Sequence, residues 1–138
     1  MSLKLFSDPW INKLQQLWNE DPKMLKNLGK VDFYSYIGYG LKGEEHPRGF
    51  IYVDNGKVIE AAEWDGESLN WDLRADKGSW EKWFKEGFGL AGLGKAVASG
   101  ELVFVSGDYR QMVRNLNLSV PFLRHLELMA KIKTDYNV

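Results

Sequence analysis

The glycines in KEGFGLAGLGKAVASG, Lys85 to Gly100, have the spacing of a nucleotide loop twice over. Gly87, Gly89 and Gly92 fit G-x-G-x-x-G, and Gly89 with Gly94-Lys95 fits a phosphate loop lacking its final Ser or Thr. Both motifs need a strand entering the loop and a helix leaving it. Only that geometry aims backbone N–H groups and a helix N-terminus at phosphate. The residues ahead of these glycines, SWEKWFKE, have helical spacing, and Ala96 stands where a magnesium-binding hydroxyl belongs. The glycines therefore read as punctuation. Gly87 ends one helix, Gly89 and Gly92 permit a close turn, and Gly94 precedes the next helix. No nucleotide, cofactor or metal is expected.

The other reactive side chains are sparse. His46 stands beside Glu44 and Glu45 in the polar loop KGEEHPRG, where a solvated surface explains all three better than a metal corner does. His125 lies one position off an apolar helical stripe and reads as a surface or boundary residue. Ser, His and acids all occur, but no G-x-S-x-G elbow does. Asp108 is expected to cap a helix, and Asp72 to sit on the wet face of a strand. Either acid, if buried beside Tyr109 or Trp71, would have its pKa raised toward proton-transfer chemistry. Cysteine is absent, which excludes disulfides and thiolate metal sites and fits a reducing, cytoplasmic address.

The elements that must position these groups follow from periodicity. SDPW opens a helix, with Ser7 or Asp8 as cap, and Ile11, Leu14, Leu17 and Trp18 then share one face. A second helix follows Asp21-Pro22 and stops at Gly29. The period changes to two in VDFYSYIGYGL, where Phe33, Ser35, Ile37, Tyr39 and Leu41 face one way. Asn55-Gly56 suits a type I′ hairpin turn. In SLNWDLRAD, Leu69, Trp71 and Leu73 face inward, while Asn70, Asp72 and Arg74 face water. Helical spacing returns from Ser79, with Trp80, Trp83 and Phe84 as its stripe. A short helix over Leu93–Ser99 and a strand in ELVFVSG come next. A helix from Asp108 carries Tyr109, Met112, Val113 and Leu116, and a final one starts at Ser119 or Pro121.

This order predicts an α+β fold, a roughly five-stranded antiparallel sheet covered on one side by helices. One domain is expected over 1–138, with N-terminal helices to residue 30, main strands over 31–76, and helices with the last strand over 77–138. A net charge of −1 gives no reason to expect a nucleic-acid partner, and no apolar run is long enough to span a membrane. Aromatic residues make up 14% of the chain, including six Trp. Such bulk builds either a plain core or the walls of a pocket.

The segment LNWDLRADKGSWEKWFKEG, followed after a linker by AVASGELVFVSGDYRQMVRNL, resembles the type-two sterol carrier protein family of lipid-binding domains. The matching positions are Gly87, Ala96, Gly100, Leu102, Gly107 and Asp108. The span from Gly100 to Gly107 is one residue longer than the family spacing, which predicts a bulge in the last strand. The resemblance implies an apolar cavity beneath hinged helices and non-catalytic binding and transfer of a fatty acid, fatty acyl-CoA or sterol-like molecule. A monomer or homodimer is expected, with no membrane span and with room for transient membrane contact. The expected walls are Trp71, Phe84, Leu90, Leu93, Val97, Phe104, Phe122, Leu126 and Met129, with Gly89 and Gly92 as a flexible link between roof helices. Two other readings stand beside this one. The chain is an accessory protein docking on an enzyme by its helical face, or a small enzyme acting on an apolar substrate through Asp72 or Asp108.

Overall fold

The computed structural model describes residues 2–28 and 33–138. The Gly29 helix stop, and the part of the first long strand expected at Val31 and Asp32, lie outside the described residues. In chain order the elements are β1 (Leu3–Lys4), α1 (Asp8–Glu20), α2 (Pro22–Leu28), β2 (Ser35–Leu41), β3 (Gly49–Asp54), β4 (Lys57–Glu63) and β5 (Trp71–Ala75). They continue with α3 (Lys77–Glu86), α4 (Leu90–Ala98), β6 (Val103–Ser106), α5 (Tyr109–Arg114), α6 (Leu116–Met129) and β7 (Thr134–Asp135).

The main sheet has the order β4-β3-β2-β5-β6. Its strands pair antiparallel except β2 with β5, which run parallel, so the sheet is mixed rather than wholly antiparallel as expected. The cause is the connection from β4 to β5. It crosses the sheet surface instead of turning back beside β4, and it lays Leu69 over Gly38, where a larger residue would clash. β1 and β7 pair separately and tie the two chain ends together.

Alternation decides which face receives the helices. Ile37, Tyr39, Leu41, Ile51, Val53 and Leu73 are buried beneath them. Asn55 and Gly56 both have positive φ, 51° and 81°, the I′ geometry that matches the twist of β3 and β4. β4 carries a register shift opposite Tyr52 and Val53. There α1 supplies hydrogen bonds, since Asn19 donates to the Val58 carbonyl at 2.8 Å and accepts from the Val58 N–H at 2.9 Å. The expected bulge in β6 is present. Asp72 pairs with Ser106 and Leu73 with Phe104, leaving Val105 as the extra residue.

The opposite sheet face is drier than alternation alone implies. Asp72 and Arg74 are buried, not solvated. Arg74 donates twice to Asp72, at 2.6 and 2.9 Å, and once to the Glu44 carbonyl at 2.9 Å. The loop after β2 folds over the pair, and Pro47 approaches the Arg74 side of Gly40.

Under the helices the core has two halves. Around Phe6, rings interlock edge to face with Trp10 at 5.1 Å and Trp80 at 5.3 Å, and stack on Tyr39 at 5.7 Å. Trp80 continues the cluster to Trp83 and Phe84. The indole N–H groups of Trp10 and Trp80 reach Thr134 and the Gly40 carbonyl, so these rings are buried without an orphaned donor. This half is solid. The other half lies under α5 and α6, and it is hollow.

Candidate functional site

The hollow is walled by Ile37 and Trp71 from the sheet, Phe33 ahead of it, Trp18 of α1, Leu28 of α2, Met112 of α5, and Leu118, Pro121, Phe122 and His125 of α6. It encloses about 40 Å³, and no polar surface lines it. That space seats roughly three water-sized groups, whereas sites for small molecules run to roughly 300–1,000 Å³. The cavity is thus a small apolar pocket whose Met112 and Phe122 walls are rotatable side chains.

Alternation on β5 puts Trp71 on the cavity side. Its indole donates to the buried Ser35 hydroxyl at 3.1 Å, which fixes the ring plane. Phe104 stands edge-on behind it at 6.1 Å and contacts Phe122 at 6.2 Å. Gly107, between β6 and α5, has φ 104° and lies against the Trp71 ring, so any side chain there is excluded both by backbone and by space. This glycine sets how closely α5 follows the sheet.

α5 and α6 differ from expectation. Asp108 does cap α5, accepting from the Gln111 N–H at 3.1 Å. α5 ends at Arg114, however, and Asn115 caps a new helix that begins at Leu116, ahead of the expected start. Pro121 therefore lies inside α6. Its ring removes the hydrogen bond to the fourth residue before it and weakens the junction between the first turn and the rest. Beyond Pro121 the helix is firmly held. Arg124 donates to both oxygens of Asp21, at 3.0 and 2.7 Å, and Asp21 also caps α2 through the Met24 N–H. The guanidinium beside Asp21 holds that carboxyl below its usual range, and the carboxylate raises the Arg124 pKa.

His125 is the polar group at the cavity wall. The expectation of a surface or boundary residue is corrected: it is 1% exposed and packs against the rings of Trp18, Tyr39 and Phe122. Its Nδ1 meets the Phe122 carbonyl, which can only accept, so Nδ1 carries the proton. Nε2 is then an acceptor, and the Tyr39 hydroxyl donates to it across 3.1 Å. Burial drives the imidazole pKa down to about 4 and pushes the Tyr39 phenol up. The pair is neutral and satisfied.

Of the nine expected wall residues, Trp71 and Phe122 line the cavity, and Phe104 backs them both. Phe84 belongs to the solid aromatic half beside Trp80. On α4, Leu93 is buried, Val97 is half-buried, and Leu90 is exposed. Leu126 and Met129 are buried in the core outside the cavity lining. The physical reason is shared: the roof of the hollow is α5–α6 with α2, not α3–α4. Gly87 and Gly89 join α3 to α4 beside an open surface groove, away from the cavity, whereas Gly92 and Gly94, expected at a turn and ahead of a helix, lie within α4, which starts earlier than expected, at Leu90. No strand enters the link, so it lacks the setting of a phosphate loop.

Met112 and Ile37 lay on apolar faces legible in the sequence. His125 was detectable too, since it follows Leu118 and Phe122 at helical spacing. Neither candidate acid reaches the cavity: Asp72 points from the opposite face of β5, and Asp108 is exposed at its cap. His46 stacks on Trp64 at 4.9 Å, and Glu44 pairs with Arg48. Among the described residues no helix is long and apolar enough to cross a membrane.

No protein-family model matches the sequence, and no curated protein is significantly similar to it. Solved structures are similar in fold. A crystal structure of sterol carrier protein 2 superposes with TM-score 0.73 at 13% identity, covering 94% of this chain and 99% of that one. The solution structure of the conserved hypothetical protein TT1886 from Thermus thermophilus, described as possibly a sterol carrier protein, gives 0.70 at 13% identity, covering 98% and 94%. The SCP2 structure of the ubiquinone synthesis protein UbiJ gives 0.61 at 16% identity, covering 94% and 95%. Over nearly its whole length, this chain has the fold of sterol carrier protein 2.

Proposed function

We infer that the chain binds an apolar lipid-type molecule in the cavity beneath α5 and α6 and carries it without changing it. The observation that carries this reading is a small pocket lined by apolar side chains and the neutral His125, set beside an aromatic cluster of interlocked rings. Each methylene brought in from water contributes about 0.8 kcal/mol, so affinity grows with chain length and needs no polar recognition. The cavity holds only the first few carbons as it stands. The rest enter as α5 and the first turn of α6 lift, since that segment lies between Gly107 and Pro121 and is itself broken at Asn115. The residues beyond Pro121 stay anchored by Arg124 and His125.

Fold likeness to sterol carrier protein 2 supports the same reading. Transfer rather than chemistry is supported by the walls, where the polar groups at hand are the neutral His125–Tyr39 pair. The test uses cis-parinaric acid, whose polyene accepts energy from tryptophan. Trp18 and Trp71 both line the cavity, so binding should quench their emission and sensitise the probe. Met112→Trp fills the void and should abolish the signal while the fold persists. A wild-type chain that takes up no probe and copurifies with no lipid by native mass spectrometry sinks the proposal, and favours the accessory-protein reading if it is then retained by a partner enzyme.

A further inference from the structure

α6 is apolar on two sides, and only one of them is used by the cavity. Leu118, Phe122 and His125 face inward. Leu116, Val120 and Leu123 follow one another at four and three residues on the opposite side. Leu116 is 68% exposed and Val120 45%, while Leu123 is half-buried. A helix side that meets only water is ordinarily polar. Beside this stripe runs an open groove whose far wall is α2, with Lys23, Lys26 and Asn27 along it and Arg124 and Glu127 on the α6 side. Glu127 is engaged by Arg124, and among the described residues neither lysine makes an ion pair.

Here we propose that the outer face of α6, with Lys23 and Lys26 of α2, is the surface by which the chain docks on an anionic lipid bilayer. Two features select this occupant. The chain as a whole has a net charge of −1, yet in this groove Arg124 is matched by Asp21 and Glu127, and Lys23 and Lys26 are left as two cations without an ion pair among the described residues, complementary to an acidic surface. The stripe is also short: the eight residues of helix from Leu116 to Leu123 rise only about 10 Å, too little for the roughly 800 Å² per partner of a stable protein interface. A few inserted side chains flanked by lysines is instead the pattern of a helix lying in a membrane interface. The inference rests on the carrier reading in one respect: the docking face is the outside of the helix that roofs the cavity. Docking would therefore bring the mobile first turn of α6 to the bilayer from which an apolar ligand is loaded.

The experiment is co-sedimentation of the full chain with equimolar phosphatidylglycerol–phosphatidylcholine vesicles and with phosphatidylcholine alone. Cavity binding of cis-parinaric acid is measured in parallel without vesicles. The wild type should bind the anionic vesicles and prefer them to the neutral ones. The double variant Lys23→Gln, Lys26→Gln should weaken binding about 30-fold, a factor of about five for each lysine near an anionic surface. Leu116→Asp with Val120→Asp should abolish it. All four side chains are surface residues, so thermal unfolding should be unmoved, and that measurement guards against a folding artefact. Equal binding to both vesicle types, or binding that neither variant changes, overturns the proposal. So does a wild-type dimer that Leu116→Asp dissociates, which would give the stripe to a second copy of the chain. Vesicle binding with the expected dependences, from a chain that takes up no parinarate, upholds the docking face and sinks the carrier reading alone.

Discussion

Lowering the pH from 7.5 to 5 should destabilise this protein through one side chain, His125. A free imidazole titrates near 6.5, while in the fold burial holds His125 near 4. Between those values the unfolded chain binds a proton that the folded chain refuses. The unfolded state then holds more protons, so stability rises with pH. The contribution is fully present above about 6.5 and is lost as pH falls toward 4. At about 1.4 kcal/mol per pH unit, the loss reaches about 2 kcal/mol at pH 5 and about 3 kcal/mol at its limit. That is a large part of the 5–15 kcal/mol typical of a domain.

The cause is specific. Protonating Nε2 would turn the Tyr39 hydroxyl from donor to acceptor and strand its hydrogen among rings. Among the described residues, no carboxylate is hydrogen-bonded to the imidazole to receive the charge. Asp21, Glu44 and Glu101 also have lowered pKa values, each chiefly through a hydrogen bond from its cationic partner. Their stabilisation is lost only as pH falls through and below the ordinary carboxylate range, so the window from 6.5 to 5 isolates the histidine. The assay is urea unfolding at a series of pH values, for the wild type and for His125→Gln, which keeps an acceptor for Tyr39. The variant starts less stable but should show a flat profile in that window. Parallel slopes for the two proteins would refute the assignment. An NMR titration of the His125 ring with a midpoint above 6 would refute it directly.

Arg74→Met leaves the buried Asp72 carboxyl without its partner, which should cost about 3–5 kcal/mol in chemical denaturation, and the double variant with Asp72→Leu should recover much of it. Gly107→Ala meets both the positive φ and the Trp71 ring, so a loss of about 1–3 kcal/mol is expected together with weaker parinarate binding. Phe122→Ala should cost about 3–5 kcal/mol in urea unfolding and yet raise probe affinity, because it enlarges the hollow it destabilises. Pro121→Ala restores a helical hydrogen bond and should slow parinarate uptake in stopped flow, with little change in final affinity.

Local pattern carried far into this fold, and it stopped where a third element decided the outcome. The alternation Ser35, Ile37, Tyr39, Leu41 identified the inward face of β2, and each of these residues is buried. The same reasoning separated Trp71 and Leu73 from Asp72 and Arg74. Alternation says which residues share a face, though, and not what covers that face. The loop that bonds Arg74 through the Glu44 carbonyl left no period in the sequence. Nor did the parallel pairing of β2 with β5, which depends on where a connection passes rather than on any strand's composition. Pro121 was legible as a helix signal but ambiguous as to position. Asn115 captured the start because its side chain bonds the Asn117 N–H and its neighbour Leu116 adopts helical geometry.

The wall residues were harder to read for a deeper reason. Phe84 and Phe122 are both aromatic, both on amphipathic helices, and both close to a tryptophan. One is packed in a solid cluster and the other faces a void, and the difference lies in which ring stands opposite. Phe6, at φ 60° ahead of α1, fills the first half, where its ring meets Trp10, Tyr39 and Trp80. No described residue projects comparably under α5 and α6. The division also explains how the domain tolerates a hollow. The interlocked rings of Phe6, Trp10, Trp80 and Phe84, with the buried Asp72–Arg74 pair behind the sheet, hold one end firmly. The other end is left with a short helix, a proline-weakened turn, and two polar anchors at Arg124 and His125. A cavity in the solid half would have to break aromatic contacts to open. A cavity beneath α5 need only part a few side chains, which is why the place that is weakest is also the place where a ligand can be received.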